Sequence, residues 1–179
     1  MTEGESKTGA GPAGRATRRG AFSVRALRRQ DDAGVGRVIQ EVMTEYGASG
    51  PGFSIHDEEV ACMSAAYSGE RAFFLVVAAG DEVVGGSGIA PLDGGPSGVC
   101  ELKKMYFLPV ARGLGLGREL LHRCLDAARD RGFERCYIET HERMVEARGL
   151  YESAGFEPLD GPMGETGHHG CNRWYLLDL

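Results

Sequence analysis

From Val99 to Arg131 the chain passes from an apolar stretch through Pro109 into Arg112-Gly113-Leu114-Gly115-Leu116-Gly117, and then into an amphipathic segment. This succession of strand, glycine turn and helix constrains the fold more than any other feature. Pro109 stops the strand because it has no N–H for a ladder. Beyond the turn, Leu116, Leu120, Leu121, Cys124, Leu125 and Ala128 share one face of a helix expected from about Leu114 to Arg131, with Gly132 as its C-cap. Glycines at alternate positions let backbone approach a ligand without Cβ atoms in the way. The helix that starts there aims unpaired N–H groups and the positive end of its dipole into the turn. Arg112 and Arg118 flank it. A phosphate or pyrophosphate suits such a turn; a flexible strand-to-helix connection is the plain alternative.

Two common phosphate loops fail on the residues. A P-loop needs Lys and then Ser or Thr after its last glycine, where this chain has Arg118-Glu119. The dinucleotide fingerprint, started at Gly113 and Gly115, needs a third glycine at the position of Arg118.

The rest of the chain supplies a sheet and its helices. Strands are expected at Phe22–Leu27, Arg71–Ala79, Glu82–Ala90, Val99–Leu108, Phe133–Thr140 and Asn172–Asp178, with a hairpin at Gly80-Asp81. Val35, Val38, Ile39, Val42 and Met43 mark an early helix capped by Asp31 or Asp32 and ending near Tyr46. Further helices are expected over Asp57–Tyr67 and Arg143–Ala154, the latter closed by Gly155. The order predicts an α/β fold, a mixed central sheet flanked by helices in one domain.

Composition excludes several classes. A formal net charge of −6 over 179 residues argues against broad nucleic-acid binding. No run reaches the roughly 18 apolar residues that span a bilayer. The five cysteines (Cys62, Cys100, Cys124, Cys136 and Cys171) are scattered and odd in number, a pattern of packed, reduced thiols in a cytoplasmic protein. Residues 1–20 are nearly free of apolar side chains and are expected to be a disordered tail ahead of a domain over 21–179. Thr17-Arg18-Arg19 has the start of a twin-arginine signal, but Val24 to Arg29 replaces its apolar core with charge, so export is not expected.

A second segment joins the glycine turn: Ala147-Arg148-Gly149-Leu150-Tyr151-Glu152-Ser153-Ala154-Gly155-Phe156. Together the two resemble the GNAT superfamily of acetyl-CoA-dependent N-acetyltransferases. The family signature Arg/Gln-x-x-Gly-x-Gly/Ala is matched by Arg112, Gly115 and Gly117. The segment Ala-x-x-Leu-Tyr-x-x-x-Gly-Phe is matched by Ala147, Leu150, Tyr151, Gly155 and Phe156. The resemblance covers about Phe22 to Leu179 in element order. It implies acetyl-CoA as co-substrate, its pantetheine arm paired with the backbone of Met105 and Phe107. The pyrophosphate would lie in the turn Arg112, Gly113, Leu114, Gly115, Leu116, Gly117 and Arg118. One position departs: where the family commonly has an Asn contacting the coenzyme, this chain has Met144.

The resemblance also implies residue roles in transfer to an amine. Tyr151 stands at the family's acid position; a phenol with a pKa near 10 keeps its proton at neutral pH. A helix Tyr packed on the sheet is the alternative. Strand alternation places Glu101 on one face with Lys103, Met105 and Phe107. Glu101 is a candidate general base, or else a solvated strand-end carboxylate. The Phe107 N–H is a candidate oxyanion donor. His168 and His169, in the glycine-rich loop before the last strand, are candidates for binding the acceptor or relaying a proton, and His141 is a weaker one. His168-His169-Gly170-Cys171 has no second ligand cluster in sequence, so no metal is expected. The expected acceptor is a primary amine on a small molecule, with neither nucleic acid nor membrane as partner and a homodimer allowed. Acetylation of a protein N-terminus or lysine is an alternative, as is a non-catalytic CoA-binding sensor.

Overall fold

The computed structural model describes residues 20–179; the expected tail lies outside these but for Gly20. Seven strands form one sheet: β1 (Phe22–Ala26), β2 (Phe73–Ala79), β3 (Glu82–Pro91), β4 (Val99–Phe107), β5 (Arg135–Thr140), β6 (Glu157–Leu159) and β7 (Arg173–Asp178). Their order is β1-β2-β3-β4-β5-β7-β6, antiparallel throughout except for the pair β4 and β5. The helices are α1 (Asp32–Glu45), α2 (Met63–Ala66), α3 (Leu116–Asp130) and α4 (Val145–Ser153). The expected α/β architecture is observed.

The helix periodicities translate directly into burial. Val35, Val38, Ile39, Val42 and Met43 of α1 are buried against the sheet. In α3, Leu120, Leu121, Cys124 and Ala128 are fully enclosed; a Leu so placed contributes roughly 1.5–3 kcal/mol. Gly85 on β3 makes room for a neighbour on β4: a Cβ there would lie 2.5 Å from the Phe107 ring.

Two elements depart from expectation. The helix foreseen over Asp57–Tyr67 is broken into 3₁₀ turns, Ser54–His56 and Glu58–Ala61, followed by the single-turn α2. Asp57 and Cys62 hold non-helical backbone. Asp32, from α1, takes the Ser64 N–H at 2.7 Å and the Ser64 hydroxyl at 2.7 Å, fixing α2 to the first helix. The three-residue strand β6, which contains Pro158, is the sheet's outer edge, where a missing N–H is tolerated.

The feature that positions the site is the seam between β4 and β5. They pair only over Val99–Glu101 and Arg135–Tyr137. Beyond Glu101 the two strands part, leaving a gap between the end of β4, the start of α3, and α4.

Candidate active site

A cleft of about 660 Å³ runs along this gap, lined by the glycine turn, Met105 and Phe107 of β4, and Ala147 and Leu150 of α4. Gly113 (φ +71) and Gly115 (φ +79, the N-cap of α3) hold the left-handed backbone the turn requires. None of the six N–H groups from Gly113 to Arg118 donates to a backbone carbonyl of the described residues. Such a run of free donors at a helix N-terminus fits an anion with several oxygens, as a pyrophosphate has.

The backbone of β4 is turned the right way for an extended ligand. Leu108 donates its N–H to Val84 O at 2.8 Å, towards β3. By alternation, Phe107 and Met105 turn their N–H and C=O groups towards the gap. Arg112 N–H donates to Pro109 O at 3.2 Å, so the run of free donors in the turn starts at Gly113. The Arg112 guanidinium is committed to both oxygens of Glu45 (2.7 and 2.6 Å), and its Nε donates to Phe107 O at 2.8 Å. It ties the turn to α1 and to the end of β4.

A β-bulge alters the face assignment along β4. Gly86 and Gly88 of β3 face Tyr106 and Lys103, so β4 carries one extra residue. Lys104 takes up the strain with φ +57. The face bearing Glu101 and Lys103 is therefore continued by Lys104 and Tyr106. Lys103 and Lys104 both pair with Glu59, while Lys104 and Tyr106 both reach Ser54. Met105 and Phe107 do not share the Glu101 face, which corrects the simple alternation.

Glu101 is only 3 % exposed, so it is no solvated strand end. Burial pushes its carboxyl up to about 7, against the opposing pull of Lys103 and His168. The Oε2 atom has no hydrogen-bond partner; Lys103 Nζ stands 4.0 Å away and His168 Nδ1 lies 3.8 Å from Oε1. Glu101 lines a small inner cavity of about 40 Å³ together with Tyr151, Glu139, Thr140 and His168. This cavity and the large cleft share Met105, Tyr106 and Met144, so the two meet there.

Tyr151 is buried on α4, its ring against Phe156 and Tyr175. Burial raises its pKa further, so the phenol stays protonated. It packs on the sheet, one of the two alternatives weighed from sequence, and it also lines the inner cavity. Met144, standing where the family has Asn, lines both cavities and accepts the Thr140 hydroxyl at its sulfur at 3.6 Å.

His168 is drawn in and His169 is left exposed. His168 Nε2 lies 3.0 Å from Asp57 Oδ2. Burial works to lower the His168 pKa, but the Asp57 hydrogen bond and the charges of Asp57 and Glu101 together outweigh it, and the net shift is upward. Asp57 also pairs with Lys104; its own carboxyl is held below the usual range because these two partners overcome its burial. The loop carrying His168 is pinned by Gly170 N–H to Gly52 O at 3.0 Å, with Phe53 packed so closely that a Cβ on Gly170 would meet its ring at 2.7 Å. Asp57, Glu59, Tyr106 and Glu139 were not singled out from sequence. A ligand set invisible as a sequence cluster also forms here: Glu101, Glu139 and His168 each offer one atom within 4.8 Å of the others. Cys171 lies on the same wall, and burial pushes its thiol up to about 12. All five cysteines are free thiols.

Comparison with known proteins identifies the family. Residues 38–156 match the model of the Acetyltransferase (GNAT) family, a span that holds the glycine turn, Glu101 and Tyr151. The chain belongs to this family. It is thus an acetyl-CoA-dependent N-acetyltransferase, as the paired motifs implied. A relative in Escherichia coli strain K12, the uncharacterised N-acetyltransferase YjgM, is 43% identical over 157 residues, covering 87% of this chain and 94% of its own. The fold recurs in a GNAT-family acetyltransferase from Staphylococcus aureus Mu50 (TM-score 0.75, 19% identity, 88% of this chain and 98% of the other). It recurs again in yncA of Salmonella typhimurium, solved with acetyl-CoA (TM-score 0.69, 18% identity, 88% and 94%). No helix among the described residues is long and apolar enough to cross a membrane.

Proposed function

We propose that this GNAT enzyme acetylates a primary amine on a small molecule in the cytoplasm, with Glu101 as general base and Tyr151 as donor to the departing sulfur. The observation that carries the reading is Glu101: a buried carboxylate near neutral pKa, with an unpartnered oxygen, lining a cavity that opens onto the coenzyme cleft. A base whose pKa lies near the working pH accepts a proton most effectively. The small volume of the inner cavity, closed over by Phe53 and the His168 loop, favours a small acceptor over a polypeptide laid in a groove.

The residues divide the work as follows. The free N–H groups from Gly113 to Arg118 hold the pyrophosphate, and the gap-facing backbone of Met105 and Phe107 holds the pantetheine arm. Acetyl-CoA supplies the acetyl thioester. Glu101 takes one proton from the acceptor's ammonium, leaving a lone pair free to attack the thioester carbonyl. The Met105 N–H, where cleft and cavity meet, is better placed than that of Phe107 to bond the carbonyl oxygen as negative charge develops. Tyr151 hydrogen-bonds through its hydroxyl to the sulfur as the C–S bond breaks, and the departing thiolate takes the second proton that the nitrogen sheds as the amide forms. The raised pKa of Tyr151 makes its part a hydrogen bond that stabilises thiolate rather than a complete proton transfer.

Incubation with acetyl-CoA and a panel of amines, with free thiol as the readout, tests the proposal. Thiol release with an acetylated small amine as product is expected. Modification of lysines or N-termini in lysate proteins, with no small amine turned over, supports the polypeptide reading instead. Tight CoA binding without turnover on either leaves a sensor.

A further inference from the structure

We propose that Glu139, together with Glu101 and His168 Nδ1, forms a three-acceptor cradle that seats the acceptor's ammonium and selects primary amines. This deepens, and rests on, the acetyl-transfer reading above. The three groups come from β5, from β4 and from the loop before β7, and converge on the inner cavity. One donor atom of each lies within 4.8 Å of the other two. A nitrogen seated over three acceptors so spaced reaches each at about 2.9 Å, an ordinary N–H···O or N–H···N distance. Glu139 is set in place by the Thr166 hydroxyl, which donates to its Oε1 at 2.6 Å. His168 gives its Nε2 side to Asp57, and in the neutral form of the ring Nδ1 is the acceptor that faces Glu101.

An independent observation points to a ligand. Glu101 is buried, and its Oε2 has no hydrogen-bond partner, with Lys103 Nζ no nearer than 4.0 Å. Buried carboxylates are normally hydrogen-bonded, and an ammonium in the cradle supplies the missing donor. The same three atoms are also a conceivable metal set, but one feature favours the monocation. Lys103 and Lys104 already place two positive charges in this cluster. Three acceptors match the three N–H bonds of a primary ammonium, whereas a secondary ammonium offers two and an alcohol one without charge. Glu101 then receives the proton.

The test uses the CoA-loaded protein and Glu139→Gln, titrated calorimetrically with benzylamine, N-methylbenzylamine, benzyl alcohol and, separately, Zn²⁺ alone. An aryl body suits the apolar approach past Phe53, Met43 and Met144. Benzylamine should bind about tenfold more tightly than its N-methyl analogue, with no detectable binding of the alcohol, and Glu139→Gln should weaken it by about tenfold or more. For any amine the screen finds, the same variant should raise KM with CoA affinity unchanged. Thr166→Val, which removes only the group that fixes Glu139, should give a smaller loss in the same direction, and stands in if Glu139→Gln does not fold. The proposal is overturned if all three probes bind alike, if benzylamine does not bind, if Glu139→Gln leaves its affinity and KM unchanged, or if Zn²⁺ binds once per chain and excludes benzylamine. Amine binding that follows Glu139 without any thiol release keeps the cradle and removes the acetyl-transfer reading. Turnover whose KM ignores Glu139 does the opposite.

Discussion

Glu101→Gln should damage activity and improve stability at once, and the second effect should switch with pH. The substitution keeps side-chain volume while removing the ionisable oxygen. Loss of a general base lowers kcat by roughly 10²–10⁴-fold. For stability, the relevant quantity is the rise of the carboxyl from 4.5 to about 7 on folding. Between these values the folded chain binds a proton at Glu101 that the unfolded chain releases. Stability therefore falls as pH rises through that window, and the full cost is reached above about 7. The gap corresponds to a destabilisation of about 3 kcal/mol at pH 8 and about 1 kcal/mol at pH 5. Gln carries no such cost. Urea unfolding of both proteins at the two pH values should show the variant gaining about 2 kcal/mol more at pH 8 than at pH 5. In parallel, wild-type kcat/KM should climb with pH and level off above about 7, as Glu101 ionises. A stability difference that is the same at both pH values, joined to a rate already flat below pH 6, would refute the buried-base argument.

Three further outcomes follow from the same geometry. Tyr151→Phe should lower kcat by about 10–100-fold, the worth of one hydrogen bond to a developing charge, with CoA affinity unchanged in a thermal-shift titration; an unaltered kcat removes Tyr151 from the chemistry. Because Arg112 is spent on Glu45 and Phe107 O, Glu45→Gln should reproduce part of the rise in acetyl-CoA KM expected for Arg112→Ala. An Arg112 effect with no Glu45 effect would mean direct phosphate contact. Gly115→Ala forces a Cβ into the left-handed region at a cost of about 1–2 kcal/mol, so Tm and CoA affinity should both drop. Gly117→Ala, whose Cβ would sit 3.5 Å from Leu150 in ordinary contact, should leave Tm unchanged and weaken CoA alone.

The donor half of the enzyme was readable because its parts are local. The glycine turn needs left-handed backbone at alternate positions, Gly113 and Gly115, and only glycines supply it cheaply, so the sequence pattern and the conformation are nearly the same fact. The periodicity of α1 and α3 likewise becomes burial without an intermediary. Where local rules failed, a tertiary contact had overridden them. The segment over Asp57–Tyr67 has the composition of a helix, yet Asp57 turns inward to Lys104 and His168 and Asp32 seizes Ser64, and these bonds outcompete another two helical turns.

The acceptor half was hidden for a related reason. Its polar groups are joined across long separations, His168 to Asp57 over 111 residues and Lys104 to Asp57 over 47. No spacing rule registers such pairs, so His168 looked isolated from any ligand cluster when in fact β4 and β5 bring it Glu101 and Glu139. The bulge adds a second concealment. Strict alternation would turn Lys104 away from the Glu101 face and carry Met105 and Phe107 onto it, whereas one extra residue brings both lysines to Glu59 and leaves Met105 and Phe107 on the other face. A lysine with φ +57 inside a strand has no mark in the sequence, yet it decides which side chains surround Glu101 and which backbone groups face the cleft. The same irregularity therefore sets both halves of the reaction on one strand, at the point where cleft and cavity meet.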